Sequence, residues 1–293
     1  MPIAIIVNPI AGGVRHDAAR RRAETASALL ASSREEGEVF VTERKGHARE
    51  LAAGAVARGA RLVVAWGGDG TVNEVASALA FGSTSLAIVP SGSGNGLARD
   101  LGIGWRPERA IMNALAAVPR PIDAGELGGR MFFSMAGVGF DAHVASCFDR
   151  ESAGRRGFSG YLLIAARELL SYRPSTYRVG GDGAPPLQAL LVTLANSSQF
   201  GNGARIAPDA RVDDGKLDLV VFEEVSRLRT VCGLPRLFTG GIARQPGVSI
   251  RQIERTTIES EHPMIFHVDG EPVQGGTRLD ARVHRGALRV SVA

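Results

Sequence analysis

Apolar residues in the first ninety positions gather into four short runs, Ile3 to Val7, Val39 to Thr42, Arg61 to Trp66 and Ser85 to Pro90, each bounded by turn-forming residues. Runs of this length without alternation read as strands buried on both faces. Residues 17–33 and 46–58 carry helical spacing, and a further helix is expected from Asn73 to Ala80. This β, α, β, α order predicts a doubly wound, mostly parallel α/β domain. From about Gly125 the pattern changes to many short extended runs, among them RMFFSMAGVGF, LQALLVTLA, KLDLVVFEE and MIFHVDG. They predict a β-rich, sandwich-like second domain, interrupted by helices at 161–170 and 227–238. The expected boundaries are 1–123 and 124–283, with the last strand, 284–293, a candidate to return to the first domain.

Composition narrows the function classes. With 293 residues, 44% hydrophobic and 22% charged, the chain reads as an ordinary globular protein with a sizeable core. Its net charge of +4 comes from basic residues scattered among acidic ones, which argues against a nucleic-acid partner and suits anionic phosphates or an anionic membrane surface. Lys45 and Lys216 are its only lysines, so arginine does most of the cationic work, and its planar fork suits phosphate oxygens. Cys147 and Cys232 make no disulfide framework, and no CxxC motif or Cys/His cluster points to zinc. The N-terminus lacks the basic region of a signal peptide, and no apolar stretch approaches the ~18 residues of a membrane span. A cytoplasmic location follows, with any membrane contact peripheral.

Three glycine-rich loops are expected at strand ends: VNPIAGGVR after the first strand, WGGDGTVNEV after the third and VPSGSGNGLARD after the fourth. Glycines there open unusual backbone angles and let main-chain N–H groups approach a phosphate, and a loop that feeds a helix N-terminus is a natural anion site. Thr71 and Glu74 have the spacing of a capping box. Asp69, a carboxylate among glycines, is a candidate to hold Mg²⁺ on a nucleotide or to face a hydroxyl nucleophile. Ser93 could donate to a phosphate, and Asn95 could fix its loop or a nucleotide base. No GxxxxGK[ST] is present, and no GxGxxG follows the first strand, which excludes a P-loop enzyme and disfavours a nicotinamide dehydrogenase.

The motifs NPIAGG, GGDGTVNEV, PSGSGNGLARDLG, GVGFDA, PDARVDDGKLDL and VDGEP, in this order, resemble those of the diacylglycerol kinase catalytic-domain family, which includes bacterial lipid kinases and sphingosine kinases. The resemblance implies ATP- and Mg²⁺-dependent phosphoryl transfer to a lipid hydroxyl, at a cleft between an α/β nucleotide-binding domain and a β-rich domain. By motif, the nucleotide would meet Asn8, Pro9, Ile10, Ala11 and Gly12, with Arg15, then Thr42, then Gly67, Gly68, Asp69, Gly70, Thr71, Val72 and Asn73, and finally Ser93. In VDGEP the resemblance implies a proton acceptor, Glu271 or Asp269. In ARVDDGKL it implies a structural metal on Asp214 and the carbonyls of Arg211 and Lys216. Asp123 and Asp141 are candidates to approach the lipid head group, or turn-formers. Where many family members have a threonine and an Asn-Asp pair, this chain has Ser93 and Asn95-Gly96, which keeps the hydroxyl and leaves the acceptor open between diacylglycerol-like and sphingoid-like alcohols. The alternatives are a kinase for a soluble acceptor such as NAD, or a catalytically silent nucleotide- or lipid-binding module. For reversible docking on a membrane surface the candidate segment contains Arg155, Arg156 and Arg167 beside Phe158, Tyr161, Leu162 and Leu163, with a helix packed into the second domain as the competing reading. The oligomeric state, monomer or homodimer, is left open by the sequence.

Overall fold

The computed structural model describes residues 2–12, 16–33, 35–151, 158–181, 183–223 and 233–292. Two compact units form, Met1–Ile122 with Gly286–Ala293, and Asp123–Arg285.

In the first unit, β1 (Ile3–Val7), β2 (Gly37–Val41), β3 (Leu62–Gly67) and β4 (Ser85–Pro90) pair in parallel in the order β2-β1-β3-β4. Every residue of β1, β3 and β4 is buried, which explains their unbroken runs of Val, Ile, Leu and Ala, whereas β2 at the edge is mostly exposed. Helices α1 (His16–Ser33), α2 (His47–Ala57), α3 (Asp69–Leu79), α4 (Gly96–Asp100) and α5 (Pro107–Ala116) lie between or after the strands. After β1 the chain turns toward β2, and after β3 it turns the opposite way toward β4. The carboxyl ends of β1 and β3 therefore form a topological switch point, the place where open α/β sheets bind ligands.

The second unit is antiparallel. Its strand Leu187–Ala195 pairs with Met135–Gly139 on one side and Leu217–Glu223 on the other, while Ile265–Val268 pairs with Met135–Gly139 and Glu271–Gln274. Phe132, Val138, Val192, Leu194, Leu219, Ile258 and Phe266 form its core. The expected helix at 161–170 becomes α7 (Phe158–Ser171), preceded by α6 (Phe140–Glu151). Of the helix expected at 227–238, residues 227–232 lie outside the described residues, and a short helix covers Arg236–Thr239. The last strand, Arg278–Val290, pairs with Arg255–Glu259 in the second unit, and its final residue, Val290, pairs in parallel with Leu86 in the first.

Candidate active site

The three glycine loops of the first unit are tied to one another at the carboxyl ends of the strands. Asn8, directly after β1, donates from Nδ2 to the Thr71 hydroxyl in α3 at 2.8 Å, which bridges the switch point. Asn8 Oδ1 accepts from the backbone of Ile10, and Arg22 donates to the carbonyls of Asn8 and Ala11, so the Asn8–Gly12 loop is held by side chains at both ends. Gly12 has φ of 76°, an angle glycine adopts freely. Thr42 follows β2 and is buried. Arg15 lies outside the described residues.

Gly67 and Gly68 do not adopt positive φ, contrary to expectation. They are glycines for lack of space. A Cβ on Gly67 would collide with the Thr71 side chain, and one on Gly92 would sit 2.5 Å from Gly68 Cα. The loops after β3 and β4 thus touch backbone to backbone.

Asp69 occupies the join. Its Oδ2 accepts from the Asn95 amide at 2.7 Å and its Oδ1 from the Gly96 amide at 2.8 Å, at the start of α4. Through these two bonds the carboxylate holds one glycine loop against the other. Asn95, buried with φ of 53°, closes its own turn by bonding both the N–H and the carbonyl of Gly92. Arg99 donates to the Gly94 carbonyl and lies over the Trp105 ring. Ser93 at the loop tip is exposed. Val72 contributes its side chain to the core, so only its backbone faces the loop chemistry.

The expected capping box is absent. Helix α3 starts at Asp69, four residues before the expected Asn73, with Gly68 as N-cap. Glu74 reaches away to accept from the amides of Gly46 and Ala48 at 2.8 and 3.0 Å, so it caps α2 rather than its own helix. The spacing of a capping box was met by coincidence, because the loop before α3 is pulled toward the Gly92–Gly96 turn.

In the second unit, Asp269 and Gly270 form a two-residue hairpin turn with φ of 48° and 83°, the Asp-Gly signature of a type I′ turn. The Asp269 carboxylate accepts from the amides of Phe133, Ser134 and Met135 at 2.8 to 3.0 Å. Three such donors fix the turn. Glu271, next in the chain, is half-buried at the head of a strand. Of the two carboxylates, Asp269 anchors the turn.

Asp214 Oδ1 accepts from the Lys216 amide and Oδ2 from the Gln252 side chain, and Lys216 Nζ donates to that same glutamine. Nearby Asp218 is buried, and its carboxyl is pushed up to about 6 by burial first and by Asp214 and Asp209 next, with Lys216 opposing. The Asp214, Asp209 and Asp218 carboxylates lie close enough to act on one another, a concentration of negative charge of the kind that suits a hard cation. Arg211 is engaged by Asp213.

Asp123 and Asp141 are not exposed. Asp123 accepts from the Gly215 amide at 2.6 Å, which fastens the Asp214 loop. Asp141 accepts from Ala142 N, from the Thr193 hydroxyl at 2.7 Å, and faces His267 Nε2 at 3.1 Å, all of them buried. Through Nδ1, His267 also receives the Gly270 amide at 3.4 Å. This network beneath the Asp-Gly turn escaped the sequence reading. Its one signal is His267, two residues before Asp269.

Of the docking segment, Arg155 and Arg156 lie outside the described residues. Arg167 is paired with Glu151 and Glu168, which removes it as a free docking cation, and Tyr161 and Ile164 pack against Phe148, Val144 and Cys147, whereas Leu163 and Leu170 are exposed.

Residues 2–127 match the diacylglycerol kinase catalytic domain, and residues 134–292 match the YegS C-terminal NAD kinase beta sandwich-like domain. The "Probable lipid kinase YegS-like" protein of Pseudomonas aeruginosa PAO1 is 35% identical over 91% of this chain and 89% of its own length. The chain belongs to the diacylglycerol kinase catalytic-domain family. A second member, of the same name, from Chromohalobacter salexigens is 33% identical over 80% of the chain and 77% of its own length. The family fold is also that of a diacylglycerol kinase from Bacillus anthracis, with a TM-score of 0.72 at 19% identity, covering 100% of this chain and 97% of that one. An NAD kinase from Archaeoglobus fulgidus in complex with ATP shares the fold more loosely, with a TM-score of 0.53 at 12% identity over 99% and 93% of the two chains. Membership of a kinase family implies ATP use. Among the described residues no helix is long and apolar enough to cross a membrane.

Proposed function

We propose that this protein is a lipid kinase that transfers the γ-phosphoryl group of ATP to the hydroxyl of a diacylglycerol-like or sphingoid-like alcohol, in a Mg²⁺-dependent reaction at a membrane surface. The observation that carries the nucleotide half is the cross-tied set of loops at the switch point, Asn8 to Thr71 and Asp69 to Asn95 and Gly96. Bare backbone and the N-terminus of the eleven-residue helix α3 offer donors to phosphate oxygens there. The lipid acceptor is supported by the names of the relatives.

Phosphoryl transfer asks a protein mainly for positioning and charge stabilisation. In this reading Asp69 keeps the phosphate loops in register, Ser93 and the Gly67–Thr71 backbone meet the nucleotide, and Glu271 accepts the proton of the attacking hydroxyl. Asp269 holds the turn that carries Glu271. When bound, Mg²⁺ would neutralise phosphate charge, and Asp214 with the carbonyls of Arg211 and Lys216 would hold a second, structural cation. Isotope transfer from γ-labelled ATP tests the reading, with diacylglycerol, a sphingoid base and NAD offered as acceptors. Label in a lipid supports it. Label in NAD alone, or ATP binding without transfer to any acceptor in a total lipid extract, overturns it.

A further inference from the structure

Helices α6 and α7 bring three metal-binding side chains to one point in the second unit. His143 and Cys147 stand four residues apart on α6 and so share a face, and α7 supplies Glu168. His143 Nε2 lies 2.8 Å from Glu168 Oε2 and 3.6 Å from Cys147 Sγ, and the three ligand atoms all fall within 4.8 Å of one another. The sequence hid this set because its third member comes from another helix.

Cysteine, histidine and carboxylate together could also form a nucleophilic relay, and the geometry separates the two. A relay places the nucleophile on one ring nitrogen and the carboxylate on the other. Here both partners face the same nitrogen, the convergence that a chelate requires. Tetrahedral zinc, with bonds of ~2.0–2.1 Å to nitrogen and ~2.3 Å to sulfur, sets its N and S ligands about 3.5 Å apart. The N···S spacing matches, and the N···O pair, now a hydrogen bond, needs to open by only ~0.5 Å.

The surroundings support the same assignment. Arg167 donates to Glu168 Oε1, the oxygen that does not face His143, and so fixes the carboxylate's orientation. Arg150 donates to Cys147 Sγ at 3.3 Å and so holds the sulfur in place. Cys147 is buried, while the His143 side chain is about one-third exposed and lines a cavity of about 440 Å³ with Tyr172 and His262, which provides an entry path. A donor set of nitrogen, sulfur and a single oxygen selects Zn²⁺ over Mg²⁺ and Ca²⁺, so this site would not compete with the structural cation proposed at Asp214.

We propose that His143, Cys147 and Glu168 form a zinc site that clips α6 to α7, with the fourth position open to water. The full chain, stripped by a chelator, is titrated with Co²⁺ and Zn²⁺. One equivalent of Co²⁺ should produce a thiolate-to-cobalt charge-transfer band, which Zn²⁺ abolishes and excess Mg²⁺ does not. Zn²⁺ should also raise Tm. Cys147→Ser should lose the band and weaken Zn²⁺ binding by more than the roughly 10–100-fold typical of losing a supporting residue, while Asp214→Ala leaves both unchanged. Absence of the band in the wild type, or full-strength Zn²⁺ binding by a folded Cys147→Ser, overturns the proposal. Should Cys147→Ser fail to fold, Glu168→Gln at the more exposed edge decides it: weakened Zn²⁺ binding supports the site and unchanged binding overturns it.

Discussion

Replacing Asp69 by asparagine separates a carboxylate that shapes the site from one that takes part in the reaction. The two backbone bonds it accepts, at 2.7 and 2.8 Å, go to a charged group, and each such bond contributes roughly 1.5–3 kcal/mol. Asparagine keeps one oxygen and so one neutral bond of about 1 kcal/mol, but turns an NH₂ toward the other amide, which already donates. The net loss is about 3 kcal/mol, or ~150-fold in the equilibrium between the closed and open Gly92–Gly96 turn. If ATP binds only the closed arrangement, its apparent affinity falls by the closed fraction, up to ~100-fold, because the wild type begins well on the closed side. Calorimetric titration of ATP, hydrogen exchange at the Asn95 and Gly96 amides and initial rates at saturating ATP together check this. Expected are weakened ATP binding, faster exchange at those two amides and a kcat that falls less than the affinity. Wild-type ATP affinity and amide protection with a collapsed kcat would refute the clamp and return Asp69 to the chemistry.

The glycine contact predicts unequal effects of two alanines: Gly92→Ala, whose Cβ would lie 2.5 Å from Gly68 Cα, should abolish ATP binding, whereas Gly68→Ala, at 3.1 Å from Gly92 Cα, should be milder, and thermal melts with ATP titrations rank them. Glu271→Gln should lower kcat at least ~100-fold, in the range for removing a general base, while ATP affinity stays within a few-fold. Asp269→Asn should differ in kind, lowering Tm through the loss of charge-assisted bonds to Phe133, Ser134 and Met135, which melting curves would reveal even without substrate. Mg²⁺ or Ca²⁺ should raise the Tm of the wild type and not that of Asp214→Ala, measured with and without chelator.

Much of the architecture was legible before any coordinate. Three strands of the first unit, β1, β3 and β4, declared themselves because burial on both faces demands unbroken apolar runs, while the exposed edge strand β2 showed only a short apolar run, and the change to short extended runs near Gly125 marked the second unit. The glycine loops were legible as a set because each follows a strand end. What each residue does there was not. Gly92 is a glycine because of Gly68 in another loop, whereas Gly67 is crowded by Thr71 four positions on, and no local pattern encodes the contact between the two loops. Glu74 had the local spacing of a cap, yet it caps α2, and Asp69 had the setting of a reactive carboxylate, yet it binds two amides 26 and 27 positions away.

The sequence by itself determined the class of fold, the order of its units, the family and the set of polar residues available for chemistry, because periodicity and motif are properties of neighbouring positions. Only the tertiary structure decided which donors each carboxylate meets. Asp123, Asp141 and Asp269 look alike in sequence as acids beside turns, and each is consumed by hydrogen bonds to groups distant in the chain, to Gly215, Thr193 and Phe133 among others. A carboxylate's chemistry depends on the donors around it, and folding chooses those donors from the whole chain.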